Sequence, residues 1–364
     1  MSGKNIGFST NMSSHPASLK TIVTIGDYFS AAHHFLLKND FSILKSGLEA
    51  VFNTPVQANQ ITKIVVFLEK HGSLYHPLKI QVVASEKRTC SFVLNGAVSR
   101  SGLSLIENEY DLISKMNQAY SKHYLPQVFG VDFIETDKGR IGFFLGEWFE
   151  GYKEFHVTED QDRRQIVIWE SDGSCHYVFE TNALEIYQEI SRILTYYYDL
   201  ETFEQISPWH HAAGDFIVKQ EKQSVHVRLI TVRGYSPLKE FCTGEEDKKV
   251  YILPSLLLFF LNLTLRMRLD RLNGTGKTYM LGNRVIKATI KGFLKALDEK
   301  STIYDFGDLR SVFTEFFRQF SPGQITKMME NILESTHPES SEINLLEKNL
   351  ESHCKILHLI FKNI

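Results

Sequence analysis

Three ionisable side chains lie close together in the segment from Ser207 to Tyr235, which reads SPWHHAAGDFIVKQEKQSVHVRLITVRGY. His210 and His211 are adjacent, and Asp215 follows four residues after the second histidine. Imidazole titrates near neutral pH and binds divalent transition metals, so the histidines are candidates for a general base and Asp215 for a metal ligand. The alternative is structural, because adjacent side chains often point apart and aspartate also closes turns through its own backbone.

Two elements are expected to position this loop. The runs Phe216 to Val218 and Val225 to Val232 are rich in β-branched residues and bounded by polar turn residues, which predicts a β-hairpin after the loop. Residues 182–200, before the loop, have helical apolar spacing. The loop should therefore lie between a long helix and a hairpin.

The first 150 residues show a pattern of strands interrupted by one helix. Runs rich in Val, Ile, Phe or Thr predict strands over residues 61–69, 78–84, 89–98, 128–134 and 141–148. Helical spacing predicts a helix over residues 101–121, capped by Ser101, and two helical patches at 27–37 and 41–52. An antiparallel arrangement of the five strands is the simplest interpretation.

A turn at Glu150-Gly151 marks the expected boundary, after which the pattern is mostly helical. A small hairpin is predicted over residues 165–179, and helices near 251–269, 283–297, 310–320, 324–333 and 343–362. The predicted organisation is a flexible tail over residues 1–20, an N-terminal lobe over 21–150, and a helical C-terminal lobe over 151–364 that ends in a helical extension.

Composition limits the classes of partner. Lys and Arg number 40 against 43 Asp and Glu, a net charge of −3, so no bulk positive field is available for nucleic acid. Four well-separated cysteines argue against a disulfide framework and favour a reducing, cytoplasmic location. The apolar run Tyr251 to Leu265 falls short of the ~20 residues that a bilayer span needs. We expect a buried helix there and no membrane partner.

The order of these elements resembles the protein-kinase-like fold, in particular its aminoglycoside phosphotransferase and choline kinase branch. The likeness covers residues 60 to 300. In that branch a long helix leads into a loop of the form H-G-D-x-x-P-G-N and an apolar strand, and residues 207–218 are similar to it, with Gly214 and Asp215 on the Gly-Asn pair. The resemblance implies a two-lobed α+β fold, with an antiparallel five-stranded N-terminal lobe and a mostly helical C-terminal lobe.

The same alignment implies roles for individual residues. His210 takes the position of the catalytic-base aspartate and Asp215 the metal-binding position, while Glu109 lies where the family has an ion-paired glutamate on its helix. Departures are equally clear. The third strand has no lysine, because residues 92–98 read FVLNGAV, and Arg233 ends a Thr-Val-Arg sequence where the second metal-binding carboxylate is expected.

Glu147, Trp148 and Phe149 fall where the family's hinge between the lobes contacts adenine, and the two aromatic rings there could stack on a base. The alternative is that Trp148 and Phe149 only pack the junction, since aromatic side chains dominate cores and interfaces. The run NGTGKT at Asn273 to Thr278 is similar to a phosphate-binding loop only at its end, because Arg271 stands where the motif needs glycine. We expect a helix-ending turn there.

These observations predict a kinase-like protein that binds a small ligand or nucleotide in the cleft between its lobes, with ATP and Mg²⁺ bound weakly. Standard kinase catalysis is disfavoured, because phosphoryl transfer depends on cations that neutralise the phosphate oxygens. Three alternatives remain open. They are a small-molecule phosphotransferase of the aminoglycoside phosphotransferase type using His210 and Asp215, a pseudokinase-type module read by a protein partner, and a metal-assisted hydrolase using His210 and His211.

Overall fold

The structure, a computed structural model, describes residues 23–69, 75–160, 163–170, 174–209, 212–221, 224–237, 248–302, 304, 307–336 and 340–364. The predicted tail over residues 1–20 and both predicted catalytic histidines, His210 and His211, lie outside these ranges. The chain forms two compact units that divide between Glu150 and Gly151. Helices and antiparallel sheets occur together, so the predicted α+β class is confirmed.

The first unit is built on one antiparallel sheet of five strands. The strands are β1 (Ile61–Leu68), β2 (Leu78–Ala84), β3 (Thr89–Ala97), β4 (Val128–Thr136) and β5 (Gly139–Glu147). Their order in the sheet is β1-β2-β3-β5-β4, and every neighbouring pair is antiparallel. The predicted five-stranded antiparallel sheet is therefore confirmed.

Two helices accompany this sheet, α1 (Ile25–Phe52) and α2 (Arg100–Ala119). Non-helical backbone at residues 38–41 breaks α1, which explains why the sequence predicted two separate patches. The N-cap of α2 is Ser99, whose Oγ accepts a hydrogen bond from the amide of Gly102 at 3.1 Å. The prediction of Ser101 as the cap was wrong, because that residue already lies inside the first turn.

The two faces of the sheet are covered differently. Alternate residues of β2 and β3, including Leu78, Ile80 and Leu94, are fully buried in a core shared with α1. On the opposite face, Ala97 and Phe144 pack against Ile106 of α2. Lys79 lies between Leu78 and Ile80 in β2, so its side chain projects from the opposite face of the sheet, which carries α2.

The second unit combines short strands with long helices. Its strands are β6 (Phe155–Asp160), β7 (Arg163–Trp169), β8 (Cys175–Tyr177), β9 (Gln205–Ile206), β10 (Phe216–Glu221), β11 (Ser224–Leu229), β12 (Tyr235–Ser236), β13 (Leu269–Arg271) and β14 (Thr278–Met280). Its helices are α3 (Glu180–Tyr196), α4 (Ala212–Asp215), α5 (Ile252–Arg266), α6 (Arg284–Lys300), α7 (Leu309–Arg318), α8 (Pro322–Thr336) and α9 (Ser340–Lys362). The predicted small hairpin is part of a three-stranded sheet, β6-β7-β8, whose first strand was missed.

Helix α5 lies at the centre of the helical core. Phe260 contacts the rings of Phe293, Phe313, Phe317 and Phe361, with ring centroids 4.5 to 5.8 Å apart. The window Lys249–Arg266 is the one helical stretch among the described residues that is long and apolar enough to cross a membrane, and 56% of it is buried inside the protein. Such burial is typical of a helix in the core of a protein.

A buried polar network ties α9 to the end of α5. Arg268 Nη1 donates to His353 Nδ1 at 3.1 Å, and Arg268 Nε donates to the carbonyl of Leu281 at 2.9 Å. His353 Nε2 lies 3.2 Å from Thr264 Oγ1, whose own hydroxyl donates to the carbonyl of Leu261 at 2.9 Å. The hydrogen-bonding pattern therefore makes His353 neutral, with its proton on Nε2.

The NGTGKT segment connects two strands. Leu269 pairs with Met280 across the hairpin of β13 and β14, so the predicted helix-ending turn was wrong. Gly274 has φ of +75°, and a Cβ atom there would lie 2.7 Å from Cε1 of His156. This glycine is required by both the turn and the close packing.

Candidate functional site

The two ends of the segment from Ser207 to Tyr235 are joined to each other by main-chain hydrogen bonds. The amide of Ser207 donates to the carbonyl of Gly234 at 3.0 Å, and Ile206 of β9 pairs with Tyr235 of β12. A Cβ atom on Gly234 would lie 2.3 Å from the carbonyl oxygen of Ser207, so only glycine fits this crossing. At the other end of the described part, Trp209 is 6% exposed and anchors the loop in the core.

Asp215 ends the short helix α4 and immediately precedes β10. Its side chain is 1% exposed, and its Oδ1 lies 2.6 Å from Nη1 of Arg233. The carbonyl of Asp215 also accepts a hydrogen bond from the amide of Ile230 at 3.0 Å. The hairpin of β10 and β11 is thus closed at its base by a main-chain bond and an ion pair.

Arg233 ends the run Thr231-Val232-Arg233, in which the resemblance implies a second metal-binding carboxylate. In the structure its guanidinium lies 2.6 Å from the Asp215 carboxylate as an ion pair. An arginine is charged at all accessible pH values. The positive charge beside Asp215 is therefore permanent and belongs to a side chain of the protein itself.

The residues around Asp215 are a poor fit to a magnesium ion. Magnesium prefers octahedral oxygen coordination with one or two carboxylates. Within the described ranges there is no group of three His, Cys, Asp or Glu side chains that could hold a metal, and Oδ1 of Asp215 lies 2.6 Å from the cationic side chain of Arg233. The assignment of Asp215 as a metal ligand stays a prediction.

Side-chain donors also hold the C-terminal end of α3, which leads into the loop. Tyr196, Tyr197 and Tyr198 are all buried, and Lys300 Nζ donates to the carbonyls of Tyr196 at 2.9 Å and Tyr198 at 2.5 Å. The hydroxyl of Tyr235 donates to the carbonyl of Tyr197 at 2.8 Å. Three consecutive carbonyls at a helix end, which have no partners within the helix, are satisfied in this way.

Lys300 is fully buried, and burial lowers its pKa to about 7. Two carbonyl acceptors and the negative end of α3 act in the opposite direction, because they favour the ammonium form. The amine donates to the two carbonyls in either protonation state. No sequence pattern predicts this contact, because the bonded residues are 104 and 102 positions apart.

Glu109 lies on α2 in the first unit and is 1% exposed. It belongs to the buried stripe of that helix with Ile106 and Ile113. The strand where the family has its lysine, β3, ends in a run without lysine at residues 92–98. A role for Glu109 in nucleotide binding stays a prediction.

Glu147, Trp148 and Phe149 follow one another at the end of β5. Glu147 Oε2 accepts a hydrogen bond from the amide of Gln127 at 3.1 Å, so its carboxylate fixes the start of β4. Trp148 and Phe149 are half-buried. A role for the three in binding adenine stays a prediction.

Lys79 of β2, which the sequence analysis did not select, lies beside Trp148. Its Nζ is 4.6 Å from the Trp148 ring centroid and 3.6 Å from Oε1 of Glu150. The signal was present in the sequence, since Lys79 is the one charged residue of the strand LKIQVVA. Its neighbours could not be identified without the register of the sheet.

The sequence matches no protein-family model and no curated protein. The similarity to the kinase-like branch is therefore carried by the residues of the loop around Gly214 and Asp215 and by the order of the elements.

Proposed function

We propose that this chain is a kinase-like-fold protein that binds a nucleotide or a similar small ligand and does not perform magnesium-dependent phosphoryl transfer. The observation that carries the proposal is the 2.6 Å ion pair between Arg233 and the buried carboxylate of Asp215. Arg233 belongs to the run Thr231-Val232-Arg233, where the resemblance implies a second carboxylate and the chain has none. The site therefore has one negative charge fewer and one positive charge more than the two-carboxylate metal site that the resemblance implies.

The net charge around Asp215 decides whether a magnesium ion can bind there. A metal held by two carboxylates bridges protein and phosphate, and its charge stabilises the transferred group. In this chain the Asp215 carboxylate is already neutralised, so a magnesium ion would have to displace a guanidinium from a site that is 1% exposed. The magnesium ion and the guanidinium would compete for one carboxylate and would repel each other there. Magnesium is thus disfavoured before any contact with the nucleotide is counted.

The order of elements supports the kinase-like architecture within this proposal. An antiparallel five-stranded sheet carries α2 between its third and fourth strands. In the second unit, α3 leads into the loop, and the hairpin of β10 and β11 follows directly after Asp215. This succession agrees with the resemblance drawn from residues 207–218.

The ligand of this proposal is ATP or another nucleotide in a cytoplasmic protein, with Trp148 offering an aromatic surface to the base. The rival function is a phosphotransferase in which His210 acts as base and Asp215 binds the metal. A pseudokinase-type module with a protein partner would retain the same ion pair without nucleotide.

Calorimetric titration of ATP and of adenosine, each with Mg²⁺ and with EDTA, tests the proposal. We expect ATP to bind with the same affinity in both buffers and to be preferred over adenosine by less than about tenfold, or ~1.4 kcal/mol. Asp215→Asn should alter the affinity little, and Asp298→Asn, on the surface, serves as the matched control. A strong Mg²⁺-dependent preference for ATP that Asp215→Asn abolishes would establish the rival phosphotransferase, and no binding of either compound would leave the protein-partner module.

A further inference from the structure

Four residues form a row across the first-unit sheet. Phe67 of β1 is paired with Lys79 of β2, Lys79 with Val93 of β3, and Val93 with Gly146 of β5. Directly opposed residues of antiparallel strands project from the same face. The side chains of Phe67, Lys79 and Val93 are therefore neighbours on one surface.

This surface is the face of the sheet that carries α2. Leu78 and Ile80, on either side of Lys79, are fully buried in the core with α1, so Lys79 points the other way. Ala97, which has the same alternation as Val93, packs with Ile106 of α2. Phe67 remains 46% exposed at the β1 side of the row. The row thus continues the α2 face towards the exposed edge of the sheet.

Among the described residues, the contacts that hold the ammonium of Lys79 are weak. It lies 4.6 Å from the Trp148 ring centroid, within cation–π range, and 3.6 Å from Glu150 Oε1. The Glu150 side chain is 65% exposed, and an ion pair with an exposed partner contributes about 0–1 kcal/mol. An incoming anion of higher charge can replace this carboxylate at low cost.

We propose that Lys79 is the phosphate-binding cation of the first unit and supplies from β2 the charge that β3 lacks. The inference rests on the proposed function and deepens it, because it names the residue that reads the anionic part of a nucleotide. The phosphate takes the place of Glu150 at Nζ of Lys79, and Trp148 and Phe67 present aromatic surface to the base. A β3 lysine is unnecessary in this arrangement, since Lys79 is directly opposite Val93 on the same face.

The test is a titration of ATP and adenosine in EDTA, followed by calorimetry and by tryptophan fluorescence. Trp148 is one of three tryptophans, and Trp148→Phe identifies its share of the signal. Lys79→Met should remove the preference for ATP over adenosine, which is a loss of ATP affinity of less than about tenfold, and leave adenosine binding unchanged. Glu150→Gln should strengthen ATP binding a few-fold, because the competing carboxylate is gone.

Lys63→Met is the matched control. Lys63 lies on β1 with the same alternation as Phe67, and four residues along a strand place it about 13 Å from the row. This variant should bind ATP as the wild type does. Wild-type binding of ATP that Lys79→Met leaves intact would overturn the assignment of Lys79 while the proposed function stands. A wild-type protein that binds neither compound would overturn both.

Discussion

Arg233 and Asp215 join the two ends of the β10–β11 hairpin through an ion pair of 2.6 Å between Nη1 and Oδ1. The pair lies beside the main-chain bond from Ile230 to Asp215 and a cross-strand pair between Phe216 and Leu229. A buried carboxylate is stable in this position because its charge is matched by a neighbour on the same hairpin.

Removal of this cation should destabilise the protein. Arg233→Ala leaves the Asp215 carboxylate buried without its charge partner, and we expect the free energy of unfolding to fall by about 3 kcal/mol in urea denaturation. The matched control is Arg310→Ala, which breaks a pair with Asp298 whose side chains are 45% and 48% exposed. That variant should lose less than about 1 kcal/mol. Equal losses in the two variants would show that the Arg233 pair is not a buried one.

Close approach at Gly234 gives a second prediction. Gly234→Ala would place its Cβ 2.3 Å from the carbonyl oxygen of Ser207, so the pairing of β9 and β12 must shift. We expect a loss of about 1–3 kcal/mol in the free energy of unfolding. Gly214→Ala, in the same loop, meets no atom within 4 Å and should be tolerated. Wild-type stability of Gly234→Ala would contradict the described crossing.

The buried amine of Lys300 should make the stability of the protein depend on pH in the alkaline range. Burial lowers its pKa from 10.5 to about 7 in the folded protein, so between these values the unfolded chain binds more protons than the folded one. The stability of the wild type relative to Lys300→Met should therefore rise from pH 7 to pH 10, by at most about 1.4 kcal/mol per pH unit. Denaturation of both proteins at several pH values measures this difference. A constant difference would mean that the Tyr196 and Tyr198 carbonyls keep the ammonium form at its usual pKa.

The buried imidazole of His353 should make the protein lose stability at acid pH. Burial, with the positive charge of Arg268, lowers its pKa from 6.5 to about 3. The unfolded state takes up a proton as the pH falls below 6.5 and the folded state does not, so stability is lost progressively from pH 6.5 towards pH 3. His353→Gln should lose less stability over this range in thermal unfolding. His358→Gln, on the same helix and half-buried, should behave like the wild type.

Much of the fold could be predicted because local patterns determine it. The strands of the first sheet are rich in Val, Ile, Phe or Thr, and their predicted bounds agree with β1 to β5 within two residues. Strand β6 was missed because its sequence, FHVTED, contains only two apolar residues, Phe155 and Val157. The cap of α2 was misplaced because Ser99 and Ser101 are both suitable residue types.

The side-chain partners of the candidate site could not be predicted, because they depend on distant parts of the chain. Arg233 was recognised only as a missing carboxylate, and its contact with Asp215 requires the register of β10 and β11. Lys79 reaches Trp148 through the pairing of several strands. Lys300 comes from a different helix than the carbonyls it binds. Sequence patterns specify the elements, whereas the charges that meet are set by how those elements pack.

The central claim is that Arg233, and not a magnesium ion, neutralises Asp215. Its most direct test is the melting temperature of the nucleotide-free wild-type protein as Mg²⁺ is raised to about 10 mM at constant ionic strength, because a ligand that binds the folded state raises that temperature. The account predicts no change in the wild type or in Asp215→Asn. A rise in the wild type that Asp215→Asn abolishes would contradict it, since Asp215 would then bind the metal with Arg233 present.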